Sequence, residues 1–178
     1  MRAFPGGTGD TKCGGNYAPT ILPQKEAAEQ GCAQVMWLMG DEDFVTEVGT
    51  MNQFFLWKNK ETGRNELVTA PLDGTILPGI TRQSILELVR GWGEIDVTER
   101  PIKMKEVIEA IEDGRMIESF GSGTAAVVCP VECIRYNGKD YDIPLGSTGV
   151  SGELTQKMWD TMNGIYYGKI EHEYSVVV

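Results

Sequence analysis

The run Gly9-Asp10-Thr11-Lys12-Cys13-Gly14-Gly15-Asn16-Tyr17 governs how this chain is read. It sets one lysine amine between glycines, with a phenol five residues further on. Glycine lacks a Cβ, so backbone there can approach a flat ring closely. A primary amine condenses with an aldehyde to give a Schiff base, and a phenol within reach can hydrogen-bond a ring hydroxyl beside it. Taken alone, the run also suits a solvated loop lysine. The weight comes from what lies around it.

Working outward, Asn16-Tyr17-Ala18-Pro19 can open a helix with Pro19 in its first turn. Ile21, Ala27 and Ala28 suit the buried side of that helix, and Gly31 its stop. Residues 34–39 read as a buried strand and Phe44–Val48 as a second one that carries Glu47 near its end. Residues 52–58 and 66–69 form a hairpin around Glu61-Thr62-Gly63. Helical spacing runs over 81–91 through Ile85, Leu88 and Val89, and over 103–113 through Met104, Val107, Ile108 and Ile111, with Gly114 as a stop. Residues 95–99 alternate like a strand, and 125–134 read as one apolar strand. Asn137-Gly138 predicts a hairpin with a type I′ turn. A last helix spans 151–163, capped by Ser151, with Leu154, Met158 and Met162 inward. Strands and helices alternate without a regular βαβ pattern, and several strand pairs are hairpins. The fold class is therefore α+β.

Three further motifs carry chemistry. Thr46-Glu47-Val48-Gly49-Thr50-Met51-Asn52 offers a carboxylate at a strand end. Leu77-Pro78-Gly79-Ile80-Thr81-Arg82 is a glycine-containing turn that leads into a helix, where free backbone N–H groups and the helix dipole favour an anion. Phe120-Gly121-Ser122-Gly123-Thr124-Ala125 is a glycine-rich turn before apolar residues. With the Lys12 run, and in this order, these motifs resemble the large C-terminal domain of the branched-chain amino acid aminotransferases. Those are pyridoxal phosphate (PLP) enzymes of fold-type IV. The resemblance runs from Arg2 to the C-terminus and is closer to the eukaryotic members than to the short bacterial ones.

The resemblance implies a pseudo-barrel of mixed strands surrounded by helices. It implies that residues 1–178 are the PLP-binding large domain, with the family's small N-terminal domain absent. It assigns Lys12 as the catalytic lysine that binds the aldehyde, Glu47 as partner of the ring nitrogen and Tyr17 as partner of the ring hydroxyl. Leu77 packs on the ring face, while the Ile80 and Thr81 N–H groups, the Thr81 hydroxyl and Thr124 hold the phosphate. Thr50, Thr124 and Ala125 border the substrate. The activity implied is transamination of leucine, isoleucine and valine with 2-oxoglutarate, in a homodimer. Without the small domain, the site is half open, so the chain alone is expected to turn over poorly. Its alternative role is that of a non-catalytic PLP-binding or oligomerisation domain. A D-amino acid aminotransferase or an aminodeoxychorismate lyase would share the fold, but the motifs are closer to the branched-chain pattern.

Composition narrows the partners. The 178 residues are 41% hydrophobic, enough for one domain with a core. A net charge of −10 argues against nucleic acid or an anionic membrane surface as partner. An acidic chain must therefore bind a phosphate with local donors. Cys13, Cys32, Cys129 and Cys133 match no zinc spacing and His172 is the single histidine, so no metal site is expected. Cys129 and Cys133, four apart around Pro130, read as free buried thiols, with a redox pair as the lesser reading. Some animal members of the family carry a CxxC redox switch here. Its first position is Ala126 in this chain, so that switch is not expected. No stretch is apolar enough to span a membrane and no targeting peptide is visible. The cytoplasm is the expected compartment, with the mitochondrial matrix as alternative.

Overall fold

The computed structural model describes residues 2–176. The centre of its main sheet is β3 (Met51–Lys58). β1 (Met36–Met39) and β2 (Phe44–Val48) lead antiparallel into its first residues, and β4 (Asn65–Thr69) pairs antiparallel with its later ones. β5 (Asp96–Glu99) lies parallel to β4. β6 (Met116–Gly123) also pairs with β3, and β7 (Val127–Pro130) pairs with β6. The seven strands make one branched sheet, and β8 (Cys133–Tyr136) with β9 (Lys139–Asp142) makes a separate hairpin. The helices are α1 (Gly14–Tyr17), α2 (Ile21–Glu29), α3 (Ile80–Trp92), α4 (Met104–Glu112) and α5 (Glu153–Tyr166). A short 3₁₀ turn, Ala18–Thr20, joins the first two. The architecture is α+β.

Side chains alternate across a strand, so β3 serves two cores at once. Phe54 and Leu56 pack with Phe120 and Val128 against Ile85, Leu86 and Val89 of α3 and Leu154 and Met158 of α5. Phe55 and Trp57 pack with Val45 and Val68 against Met104, Val107 and Ala110 of α4. Covering both faces explains why residues 53–57 are all buried. The helix spacing in 81–91 and 103–113 appears as α3 and α4, each followed by a left-handed glycine, Gly93 or Gly114. Asn137 and Gly138 both have positive φ, 51° and 77°, as a type I′ turn requires.

Several expectations are corrected. Residues 116–123 form a strand that the sequence reading missed, because Glu118, Ser119, Gly121 and Ser122 interrupt any apolar pattern. Glu118, Ser119 and Gly121 each have a structural cause. The Ser119 hydroxyl donates to the Phe54 carbonyl at 3.0 Å and accepts from Gln53. A Cβ on Gly121 would lie 3.0 Å from both Met51 and Val48 side chains. Residues 125–134 are not one strand: a turn precedes Val127, and the chain leaves the sheet after Pro130. The buried side expected for α2 is absent, since none of its residues is buried and Ile21 is 71% exposed. The cysteines are free but not buried, three being half-buried and Cys133 exposed.

Ser151 does not cap α5. The helix starts two residues later, at Glu153, with Gly152 as N-cap. The cap comes instead from β6: the Glu118 carboxylate accepts from the Leu154 N–H at 2.8 Å, the Thr155 N–H at 3.0 Å and the Thr155 hydroxyl at 2.7 Å. A Cβ on Gly152 would collide with that carboxylate, which is why the N-cap is glycine.

Candidate active site

The site is built from a two-residue turn. Gly49-Thr50 joins β2 to β3, and the positive φ falls on Gly49 (57°). So short a loop pairs Val48 with Met51 and Glu47 with Asn52. Asn52 is in turn paired with Ser122 on β6. Directly paired residues share a sheet face, so Glu47, Asn52 and Ser122 form a polar row across three strands. All three are buried.

Glu47 is 2% exposed. Its Oε1 accepts from the Leu77 N–H at 2.9 Å and from Asn52 Nδ2 at 3.4 Å. Its Oε2 lies 2.7 Å from Arg2 Nη1, and that guanidinium is equally buried. The approach is a charge contact without hydrogen-bond alignment: Glu47 Oε2, Arg2 Nη1 and Arg2 Nε all lack a hydrogen-bond partner, as does the Ser122 hydroxyl. Burial pushes the Glu47 carboxyl above the usual carboxylate range, and the Arg2 charge and the Leu77 N–H pull it back part of the way.

The helix start lies beside this row. Asn52 Nδ2 donates to the Leu77 carbonyl at 2.9 Å, so Leu77 is held at both its N–H and its C=O. Two residues later Gly79 is the N-cap of α3, and no side chain caps that end. The amides of the first turn have no acceptor within the helix and remain available to an anion. Gly79 leaves room for the Asn52 amide, since a Cβ there would lie 2.3 Å from Asn52 Oδ1. Thr81 is buried at 5% exposure, while the Ile80 side chain is 76% exposed.

The N-terminal run is tied in through Arg2, whose guanidinium carbon lies 5.5 Å from the centre of the Tyr17 ring. Asn16 ties down the backbone just before Lys12: its amide donates to the Thr8 carbonyl at 2.5 Å and the Thr11 carbonyl at 2.6 Å. Gly9 allows this run to pack closely, as a Cβ there would lie 2.7 Å from the Thr75 carbonyl. Lys12 itself is exposed. Among the described residues its amine makes no ion pair or hydrogen bond, and no direct contact joins it to Glu47.

Thr50, Thr124 and Ala125 are exposed and sit at one end of the sheet. Because Asn52 faces Ser122, the turn at 49–50 and the loop at 124–126 extend past the same edge. The latter is closed by the Gly123–Val127 pair, with Val127 held at φ 59°. A β-branched residue in that region costs about 1–3 kcal/mol and marks a position imposed by its surroundings.

The structure thus brings Glu47, Leu77 and the start of α3 together, places Tyr17 against Arg2, and sets Thr50, Thr124 and Ala125 at the neighbouring sheet end. It leaves Lys12 open. Arg2, Asn52 and Ser122 were not foreseen; the two-residue spacing of Gly49-Thr50 could have revealed the pairing of residues 47 and 52. A cavity of about 570 Å³ is lined in part by Val48 and Met51, whose positions alternate with those of Glu47 and Asn52.

Residues 10–134 match the family model described as amino-transferase class IV. The whole chain is 55% identical to a branched-chain-amino-acid aminotransferase of Monosiga brevicollis, covering 45% of that protein, and 52% identical to a mitochondrial one of Bos taurus, covering 44% of it. Relatives described as cytosolic also match. Among solved structures, the branched-chain amino acid aminotransferase from Escherichia coli superposes with a TM-score of 0.74 at 27% identity, over 97% of this chain and 52% of that one. The chain therefore spans about half the length of the relatives it matches.

Proposed function

Since this chain belongs to the class IV amino-transferase family, we propose that it is the cofactor-facing part of a PLP-dependent aminotransferase acting on leucine, isoleucine and valine with 2-oxoglutarate. The observation that carries this reading is the Glu47 carboxylate, buried beside the start of α3 with Oε1 engaged by Leu77 and Asn52 and Oε2 in a charge contact with Arg2 Nη1 at 2.7 Å that lacks hydrogen-bond alignment. A buried carboxylate oxygen of this kind suits a protonated ring nitrogen. The uncapped start of α3 beside it suits a phosphate. The sequence identity across all 178 residues supports branched-chain substrates over other reactions of the same fold.

PLP fits these groups. Glu47 would hold its ring nitrogen, Tyr17 its ring hydroxyl and Lys12 its aldehyde. Leu77 would pack on its ring, and the Ile80 and Thr81 N–H groups, the Thr81 hydroxyl and Thr124 would take its phosphate. When bound, the cofactor supplies an aldehyde for the amino group and an electron-withdrawing ring. Lys12 Nζ takes the proton from the substrate Cα, a general-base contribution of roughly 10²–10⁴ in rate. Glu47 would keep a proton on the ring nitrogen. The loop at Thr124 and Ala125 offers backbone N–H groups to the substrate carboxylate, and Thr50 borders the pocket. The full-length protein would assemble as a homodimer, in the cytosol or the mitochondrial matrix. No described helix is long and apolar enough to cross a membrane.

The exposure of Lys12 favours a second reading, a PLP-binding or oligomerisation domain without turnover, because an open site admits water and loses substrate positioning. Both readings place the cofactor on the same amine. Adding PLP, reducing with borohydride and mapping the peptides should give a label on Lys12. A label on other lysines, with Lys12 unmodified, would overturn the assignment.

A further inference from the structure

We propose that Arg2 is a positioning residue of this site: as the buried counter-ion of Glu47, it keeps that carboxylate anionic and thereby keeps the proton on the cofactor's ring nitrogen. The inference rests on the aminotransferase reading for its second half only.

The geometry isolates the pair. Arg2 Nη1 and Glu47 Oε2 are 2.7 Å apart, and both side chains are 2% exposed. The other groups facing Glu47 are neutral: Asn52 on β3, the Leu77 N–H before α3, and Trp37, its register partner on β1, whose indole N–H is engaged by the Gly49 carbonyl. Tyr17 lies beyond Arg2, against the guanidinium. Arg2 is thus the one charged group in contact with Glu47 among the described residues. A carboxylate buried without a counter-charge takes up a proton instead of remaining ionised. A neutral carboxyl group could not hold a cationic ring nitrogen. Arg2 Nε and Nη1 also lack hydrogen-bond acceptors, so the guanidinium acts on Glu47 through charge more than as a hydrogen-bonded brace.

The test uses PLP labelled with ¹⁵N in the ring, bound to the wild type and to the Arg2→Met and Arg2→Lys variants, with the ring-nitrogen shift followed against pH. In Arg2→Met the nitrogen should lose its proton at least one pH unit lower than in the wild type, a tenfold change in the proton equilibrium. Arg2→Lys should restore most of that difference, which a purely structural role would not do. Identical titrations in all three would overturn the proposal. Isotope-edited infrared of the Glu47 carboxyl reads the first half without any cofactor: an ionised group at pH 7 in the wild type and in Arg2→Lys is expected. A protonated Glu47 in the wild type at pH 7 overturns the proposal even if Arg2→Met does not fold. Failure of any lysine to bind PLP would sink the aminotransferase reading and leave the infrared result to decide the Arg2–Glu47 relation.

Discussion

Glu47 has no room to be an ordinary surface carboxylate, and its titration should show it. Burial raises its folded-state value above the ordinary carboxylate range, so the native chain holds that proton to higher pH than the unfolded chain does. Stability from this proton is fully present below about pH 4.3 and is lost as pH rises through the higher folded value. Glu47→Gln lacks the effect. The urea midpoint of the cofactor-free wild type, taken relative to Glu47→Gln, should therefore fall as pH rises above about 4.3. A difference independent of pH would place Glu47 in the ordinary range. Gly79 makes a second test at this scale. Gly79→Ala drives a methyl group into Asn52 Oδ1, and overpacking of this kind costs about 1–3 kcal/mol. Asn52→Ala removes the obstacle along with the Leu77 contact, so the double variant should lose less stability than the sum of the two single ones. Strict additivity in chemical denaturation would show that the two side chains do not meet.

At the scale of elements, the start of α5 shows why local signals mislead. Ser151 has the right chemistry for a cap, yet Glu118, distant in sequence, occupies the helix start with three charge-assisted hydrogen bonds. Glu118→Ala should destabilise the chain by about 2–4 kcal/mol, since it strands two buried backbone donors and a hydroxyl. Ser151→Ala should stay within about 0.5 kcal/mol. Equal effects of the two in a denaturation series would restore Ser151 as the cap. Among the strands, Phe44–Val48 and the hairpin of β3 and β4 were legible because their apolar residues lie in short runs bounded by turn residues. β6 was not, because Glu118, Ser119 and Gly121 each answer to a neighbour in another element.

Across the whole molecule, β3 and β6 join the two cores, and Phe54 stacks on Phe120 with ring centres 5.1 Å apart, both fully buried. Phe54→Ala should cost about 3–5 kcal/mol. If the cores fold as one unit, near- and far-ultraviolet signals should shift to the same lower denaturant midpoint; two separated transitions would divide them. The sequence alone determined the α+β class, the helices α3 and α4 and the family, because periodic burial and contiguous motifs are written along the chain. Glu47 and the turn before α3 could be named for the same reason. Only the tertiary structure decided that Arg2 faces Glu47, that Ser122 extends the Glu47–Asn52 pair into a row, that Glu118 caps α5 and that α2 is left exposed. The first three are contacts between residues far apart in sequence. They depend on strand register and on which elements pack together, which local propensity does not encode.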